Sequence, residues 1–178
     1  MNKAVDYLGR YASSSHKLDA VLGRFAQRKL ADYDADEVAA AITRTVARCA
    51  ALGYIDDTAF AAGQARNHRR LGRSARNIQQ RLRQHRLDEA VIDAALDTAD
   101  ENSGHGELHA AFLFARRRRI GPFSAKPDSA DAAQRQRVLG TMARAGFAMS
   151  ICLRVIDAET DAAIAMIDAL EQGDDPFA

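Results

Sequence analysis

The stretch VLGRFAQRKL (Val21–Leu30) returns twice, as IQQRLRQHRL (Ile78–Leu87) and as VLGTMARAGF (Val138–Phe147). The three align without gaps. Val21, Ile78 and Val138 correspond, then Phe25, Leu82 and Met142, then Leu30, Leu87 and Phe147. Apolar residues four apart share one helix face, so each copy reads as an amphipathic helix running into a turn. The second and third copies stay in register further: Val91 falls with Ile151 and Leu96 with Ile156, each pair 60 positions apart. A constant offset across two helices and a turn favours a true internal repeat over chance likeness between amphipathic helices. Each small unit buries its faces poorly alone, and stacked neighbours share a core. The expected fold is all-α: three tandem three-helix repeats in an elongated, curved array, with a surface suited to a large partner.

Composition points the same way. Of 178 residues, 37 are Ala, against 3 Pro and no Trp. Ala is the best helix former and Pro the worst. A hydrophobic share of 47% and a charged share of 28% describe a globular chain, not a disordered one. No apolar run approaches the ~18–20 residues of a membrane span, and MNKAVDYLGRYASSSHK carries no secretory signal. A cytoplasmic monomer is expected. Cys49 and Cys152 are too few and too far apart for a disulfide framework or a CxxC metal site, and read as buried free thiols.

The periodicity predicts helices over Lys3–Ala12 and His16–Lys29, and a third, capped by Asp34 or Asp36, to Leu52, with Gly53 as its left-handed end. Asp56 or Asp57 caps a helix to Leu71 that Gly72 ends; Ser74 caps one to Arg86, and Asp88 one through Leu96. Asn102–Gly106 reads as a linker. Further helices hold Leu108–Ile120, Asp131–Ala145, Ala148–Ala158 and a last stretch through Ile164 and Leu170, with a loop over Pro122–Asp131. Arg69-Arg70-Leu71-Gly72 echoes Arg118-Arg119-Ile120-Gly121. The units are placed at 1–53, 54–101 and 107–158, followed by an acidic extension at 159–178. Gly23 and Gly63 fall inside helices, at a cost of ~1 kcal/mol each against Ala.

The formal net charge of +1 conceals segregation. Between Thr58 and Leu87 there is no Asp or Glu, but Arg66, Arg69, Arg70, Arg73, Arg76, Arg81, Arg83 and Arg86 with His68 and His85. From Leu87 to Ala115 the pattern inverts, with Asp88, Glu89, Asp93, Asp97, Asp100, Glu101 and Glu107 and no Lys or Arg. Arg116, Arg117, Arg118 and Arg119 then follow in a row, and after Arg154 every charge is negative. Arg76, Gln80 and Arg83 share a helix face opposite Ile78 and Leu82. Arginine, with 21 copies against 4 Lys, pairs bidentately with phosphate and carboxylate. Like charge this dense costs folding free energy unless a partner screens it, so an anionic partner is expected, either nucleic acid or an acidic protein surface. The acidic tail could fold back on the basic middle unit and compete with that partner. Aromatic residues do not interleave with the arginines, which argues against base stacking.

No catalytic constellation is apparent. His105 and His109 flank Glu107 at i, i+4, but His105 lies between two glycines of the linker, so no metal site is expected. Asp56-Asp57 are adjacent, diverge on a helix and read as capping residues. No HExxH, P-loop, dinucleotide fingerprint or GxSxG elbow occurs. No cofactor and no enzyme activity are expected.

Gly53-Tyr54-Ile55-Asp56-Asp57, then Phe60-Ala61, then Arg69-Arg70-Leu71-Gly72 and the Ile78–Leu82 helix resemble the central signature of the RecX family. The flanks, His16-Lys17-Leu18 through Leu30 and Phe147 through Ile156, fit as well. The resemblance implies tandem three-helix repeats that bind the RecA recombinase filament along its groove and restrain its extension, ATP hydrolysis, strand exchange and SOS co-protease activity. It implies no catalysis, and DNA, single- or double-stranded, as a further partner. Carried onto this chain, it makes Gly53, Tyr54, Asp56, Asp57, Phe60 and Gly72 structural, with Tyr54 and Phe60 packed between the first two units. Arg66, Arg69, Arg70, Arg73, Arg76, Arg81, Arg83 and Arg116–Arg119 are the expected partner contacts. Two other readings are a helical-repeat DNA-binding protein that needs no recombinase, and an adaptor that uses an apolar surface and tolerates loss of the arginines.

Overall fold

The computed structural model describes residues 1–29, 32–101, 106–124 and 132–171, and for 169–171 the backbone alone. The order is α1 (Asn2–Leu8), α2 (Ser15–Lys29), α3 (Ala35–Ala51), α4 (Asp57–Arg70), α5 (Ala75–Arg83), α6 (Glu89–Glu101), α7 (Gly106–Arg118), α8 (Ala132–Arg144), α9 (Met149–Ile156) and α10 (Thr160–Glu171), with a 3-10 turn at Gly121–Phe123. The described residues include no strand. α1 and α5 end earlier than their periodicity suggests, at Leu8 and Arg83. The linker residues 102–105, Leu30 and most of the Pro122–Asp131 loop lie outside the described residues.

Local chemistry sets the helix ends. Asp34 accepts from the amides of Asp36 and Glu37 at 3.0 and 2.9 Å, so it, not Asp36, caps α3. Asp56 accepts from Ala59 N at 2.8 Å and caps α4. Ser14 Oγ accepts from Lys17 N and Ser74 Oγ from Asn77 N, capping α2 and α5. At the other end, Gly53 (φ 72°) closes α3 and Gly72 (φ 65°) closes α4. Gly72 has a second reason to be glycine: a Cβ there would lie 2.7 Å from Phe114 N and 3.0 Å from Ala110 O. The end of α4 therefore meets α7 backbone to backbone. The position that closes α7 is Arg119, with φ 55°. The echo between Arg69–Gly72 and Arg118–Gly121 thus fails in structure, since Gly121 opens the separate 3-10 turn.

Among the described residues, three hydrophobic clusters form, one per unit. Ala4, Leu18, Leu22, Cys49 and Ile55 make the first. Ala61, Ala65, Ile78, Leu82, Ile92 and Leu96 anchor the second. Leu108, Phe112, Phe114, Val138, Met142, Phe147 and Val155 anchor the third. The first copy of the repeat needs correcting. Val21 and Phe25 are only half-buried, while Leu18 and Leu22 are buried. Leu18, Ile78 and Val138 are thus equivalent, as are Leu22, Leu82 and Met142. The 60-residue offset holds for all three units, and the gapless match at Val21 is displaced by three residues, close to one helical turn.

The junctions between units also repeat. Ser14 Oγ is hydrogen-bonded to His85 Nδ1 at 3.1 Å, and Ser74 Oγ donates to Ala145 O at 2.6 Å. Ser14 and Ser74 are 60 residues apart, and so are His85 and Ala145. Beside each serine, the next amide is held by an acid from the following unit: Ser15 N donates to Asp57 Oδ1 at 2.8 Å, and Ala75 N donates to Glu107 Oε2 at 2.8 Å. An acid at a helix N-terminus is favourable in both places.

α7 is buried on most sides, through Leu108, Ala110, Ala111, Phe112, Phe114 and Ala115, and touches α4, α6, α9 and α10. α10 lies on α7 through Ala163 and Ile167, and Thr160 Oγ1 donates to Pro122 O at 2.8 Å. Through Ile167 the acidic extension is therefore part of the third unit and does not lie on the basic middle unit. Its remaining acids at 172–178 lie outside the described residues. Tyr54, expected between the first two units, is 54% exposed; Ile55, 6% exposed, fills the first core instead. Phe60 is half-buried against the second cluster, its ring edge-on to His85 with centroids 4.9 Å apart.

Candidate arginine-rich interface

The arginines of α4, α5 and α7 sort into three groups. Arg69 is interior, at 5% exposure. Its Nε and Nη2 donate to the two carboxylate oxygens of Asp100, each at 2.7 Å. Its Nη1 donates to Glu107 Oε2 and, at 3.1 Å, to Arg73 O. One guanidinium thus ties α4 to α6 and α7. Glu107 in turn holds the α5 amide of Ala75. Arg69 is a fastener of the fold, which corrects its expected place on the partner surface. The reason is tertiary: Asp100 and Glu107 lie 31 and 38 residues away in sequence, and only helix packing brings them in.

Arg83 is exposed but paired, donating bidentately to Glu89 at 2.7 and 2.8 Å. That contact raises the Arg83 pKa and lowers the Glu89 pKa. A surface pair of this kind adds little stability, but it removes Arg83 from the unneutralised face.

The remaining arginines stay at the surface. Arg66 and Arg70 lie exposed on α4, Arg76 and Arg81 on α5, and Arg116, Arg117, Arg118 and Arg119 at the end of α7. Successive helix residues turn by about 100°, so the run of four does not form a single face. Arg118 lies over the Phe114 ring, 5.8 Å from its centroid. Arg81 Nε donates to Asn77 Oδ1 at 3.0 Å. Arg76 and Arg144 line a polar cleft of about 290 Å³ with Asn77, Gln80 and Gly146, at the junction of the second and third units.

Arg73, in the turn after α4, is half-buried. Burial, then Arg81, then Arg117, hold its pKa below the ordinary value. His68, one turn earlier on α4, is pushed down to about 4 by burial, then by Arg73 and Arg81. Among the described residues, His68 Nδ1 and Arg73 Nη1 are buried without a hydrogen-bond partner. The charge pattern of the sequence marks Arg73, Arg81 and Arg117 but does not show that Arg81 and Arg117 both act on Arg73. It also misses His68, Arg144, Asp100 and Glu107 as participants. The acid-free window is the one signal the sequence offers for this region.

Among the described residues, no group of three or more His, Cys, Asp or Glu side chains is placed to share a metal ion. No described helix is long and apolar enough to cross a membrane. Cys49 and Cys152 are buried free thiols, and burial pushes the Cys152 thiol up.

A family model for the second three-helix domain of RecX matches residues 56–96, which span α4 to most of α6. Regulatory protein RecX of Myxococcus xanthus is 35% identical over 158 residues, which cover 88% of this chain and 83% of that protein. Regulatory protein RecX of Agrobacterium fabrum is 28% identical over 163 residues, 91% of this chain and 84% of that protein. Regulatory protein RecX of a Mycobacterium species is 31% identical over 138 residues, 77% of this chain and 70% of that protein.

Proposed function

The chain belongs to the RecX family of regulatory proteins, and from that premise we propose that it acts without catalysis on the RecA nucleoprotein filament. In this reading it binds the filament and inhibits its extension, ATP hydrolysis and strand exchange, and so restrains recombination, DNA repair and the SOS response in the cytoplasm. In this reading it works as a monomer of three units, 1–53, 54–101 and 107–158, and the extension at 159–178 joins the third of them by packing Ala163 and Ile167 into its core.

The observation that carries this reading is the surface of the second and third units. Arg66, Arg76, Arg81 and Arg117 are exposed there, while nearby acids are drawn into Arg69 and Arg83. A guanidinium surface of this kind suits carboxylates and phosphates, both of which a protein–DNA filament offers. The test is a titration into RecA on single-stranded DNA with ATP present. Hydrolysis is expected to fall at well below one molecule per RecA. The double variant R66E/R76E is expected to need several-fold more protein for the same effect. Unchanged hydrolysis at equimolar protein would overturn the reading.

A further inference from the structure

We propose that two copies of the free chain pair through the α2–α3 hairpin of the first unit, closing into a four-helix bundle. α2 has 15 residues and α3 has 17, and both are longer than α5 and α6, with 9 and 13, or α8 and α9, with 13 and 8. The added length carries apolar surface that the unit itself does not cover. Of the 17 residues of α3, 11 are Ala, Val, Ile or Cys, yet Cys49 alone is buried. Among the described residues, α3 packs chiefly on α2 and α1. A cleft of about 740 Å³ is lined by Phe25 and Ala26 from α2 and by Val38, Ala41 and Ile42 from α3. A second, of about 410 Å³, shares Ala26, Val38 and Ile42 with it. Tyr33, 66% exposed, borders both.

Charge decides which occupant suits this hairpin. Arg28 and Lys29 stand in the last turn of α2, Asp36 and Glu37 in the first turn of α3, and Asp34 at its cap. One wall of the hairpin tip is thus basic and the other acidic. A partner of a single sign, a polynucleotide included, is repelled by one wall. A second copy carries both signs in the same arrangement. With the two tips pointing the same way, α2 of each copy lies antiparallel to α3 of the other, and each basic end meets an acidic start. The contact forms twice, as a two-fold axis requires. The backbone agrees, because the negative end of α2 then faces the positive start of α3. Four helices alternating up and down are a stable packing, and taking Tyr33 and the cleft linings of both copies out of water drives it. The second and third units take no part. Pairing therefore describes the free chain at high concentration, and the monomer remains the form proposed to act on the filament.

The test uses the full chain alone, with neither recombinase nor DNA, and so is separate from the one above. Sedimentation velocity from about 2 to about 300 µM is expected to show a reversible passage from monomer to dimer. A41E sets a charge in the seam and is expected to stay monomeric over the whole range. K29E and E37K each turn two symmetry-related attractions into repulsions, and each is expected to weaken pairing about five- to tenfold. The double variant K29E/E37K restores opposite signs across the seam and is expected to return to within about twofold of wild type. That recovery separates a contact between copies from a loss of helix stability, since each substitution opposes its own helix dipole and the two losses would add. Ala41, Lys29 and Glu37 are exposed, so the variants leave the first core intact. A chain that stays monomeric throughout would overturn the proposal. So would a dimer that A41E and the charge variants leave unchanged, because its seam would lie elsewhere. Either failure leaves the filament titration to stand or fall alone.

Discussion

Arg69 donates to two carboxylates on two other helices, and methionine in its place leaves Asp100 and Glu107 close together with no cation between them. Removing one partner of a buried pair costs more than removing the pair, and here the two carboxylates left behind are only partly reached by solvent. R69M is therefore expected to lower unfolding free energy by about 3 kcal/mol in urea titrations. R76E, on an exposed residue of α5, is expected to stay within about 0.5 kcal/mol of wild type. Equal losses for the two would mean that Arg69 is not the fastener it resembles. The same pair shows why the sequence sorts the arginines incompletely. The acid-free window marks the right region, since local charge is visible in the chain. Which arginine in it meets an acid depends on how α6 and α7 pack against α4. The acids at 56 and 57 follow the same logic. Both cap helices, but Asp56 caps its own and Asp57 caps α2 of the preceding unit. Adjacency in sequence hides that division.

At the scale of elements, the helices themselves are legible because capping and periodicity act locally. Asp34, Asp56, Ser74, Gly53 and Gly72 stand where their chemistry places them. The register of the first repeat is not legible, because α2 carries two apolar stripes, Val21–Phe25 and Leu18–Leu22. Only contact with Cys49 of α3 and with Ile55 shows which is the core. Two glycines separate a local effect from a tertiary one. Gly23 lies inside α2 with no atom within 4 Å of where a methyl group would sit, so G23A should gain about 0.5–1 kcal/mol from helix propensity. Gly146, at φ 97°, has Ser74 Oγ 2.5 Å from where a Cβ would be, on the atom that clasps the second unit to the third. G146A should therefore cost at least ~1–2 kcal/mol from the left-handed backbone alone. Thermal melting of both variants checks the pair. A stabilising G146A would show that the Ser74–Ala145 contact does not hold the junction.

Across the whole molecule, the two junctions share a hydrogen-bond scheme but differ in what surrounds it. Between the second and third units, α7 packs on both α4 and α6, Arg69 spans the seam, and Gly72 lets the backbones touch. Between the first and second, no helix pair packs to the same extent among the described residues. The seam rests on Ser14–His85, Ser15–Asp57 and the insertion of Ile55 into the first core. In a repeat array each unit is stabilised by its own core plus its neighbours, so the unit with the thinner interface opens at lower free energy. The first core is also smaller, and α3 exposes much of its alanine-rich surface. Native-state hydrogen exchange in low denaturant is expected to protect the amides of α4, α6 and α7 together, to nearly the global unfolding free energy. Those of α2 and α3 should exchange earlier, as a separate group. D57N should widen that gap, because a neutral amide is a weaker partner for Ser15 N at the positive end of α2. One common protection level for α2 through α7 would show a single cooperative body instead. If the groups separate, the second and third units form one rigid platform that carries the exposed arginines, and the first unit can change its angle without disturbing them.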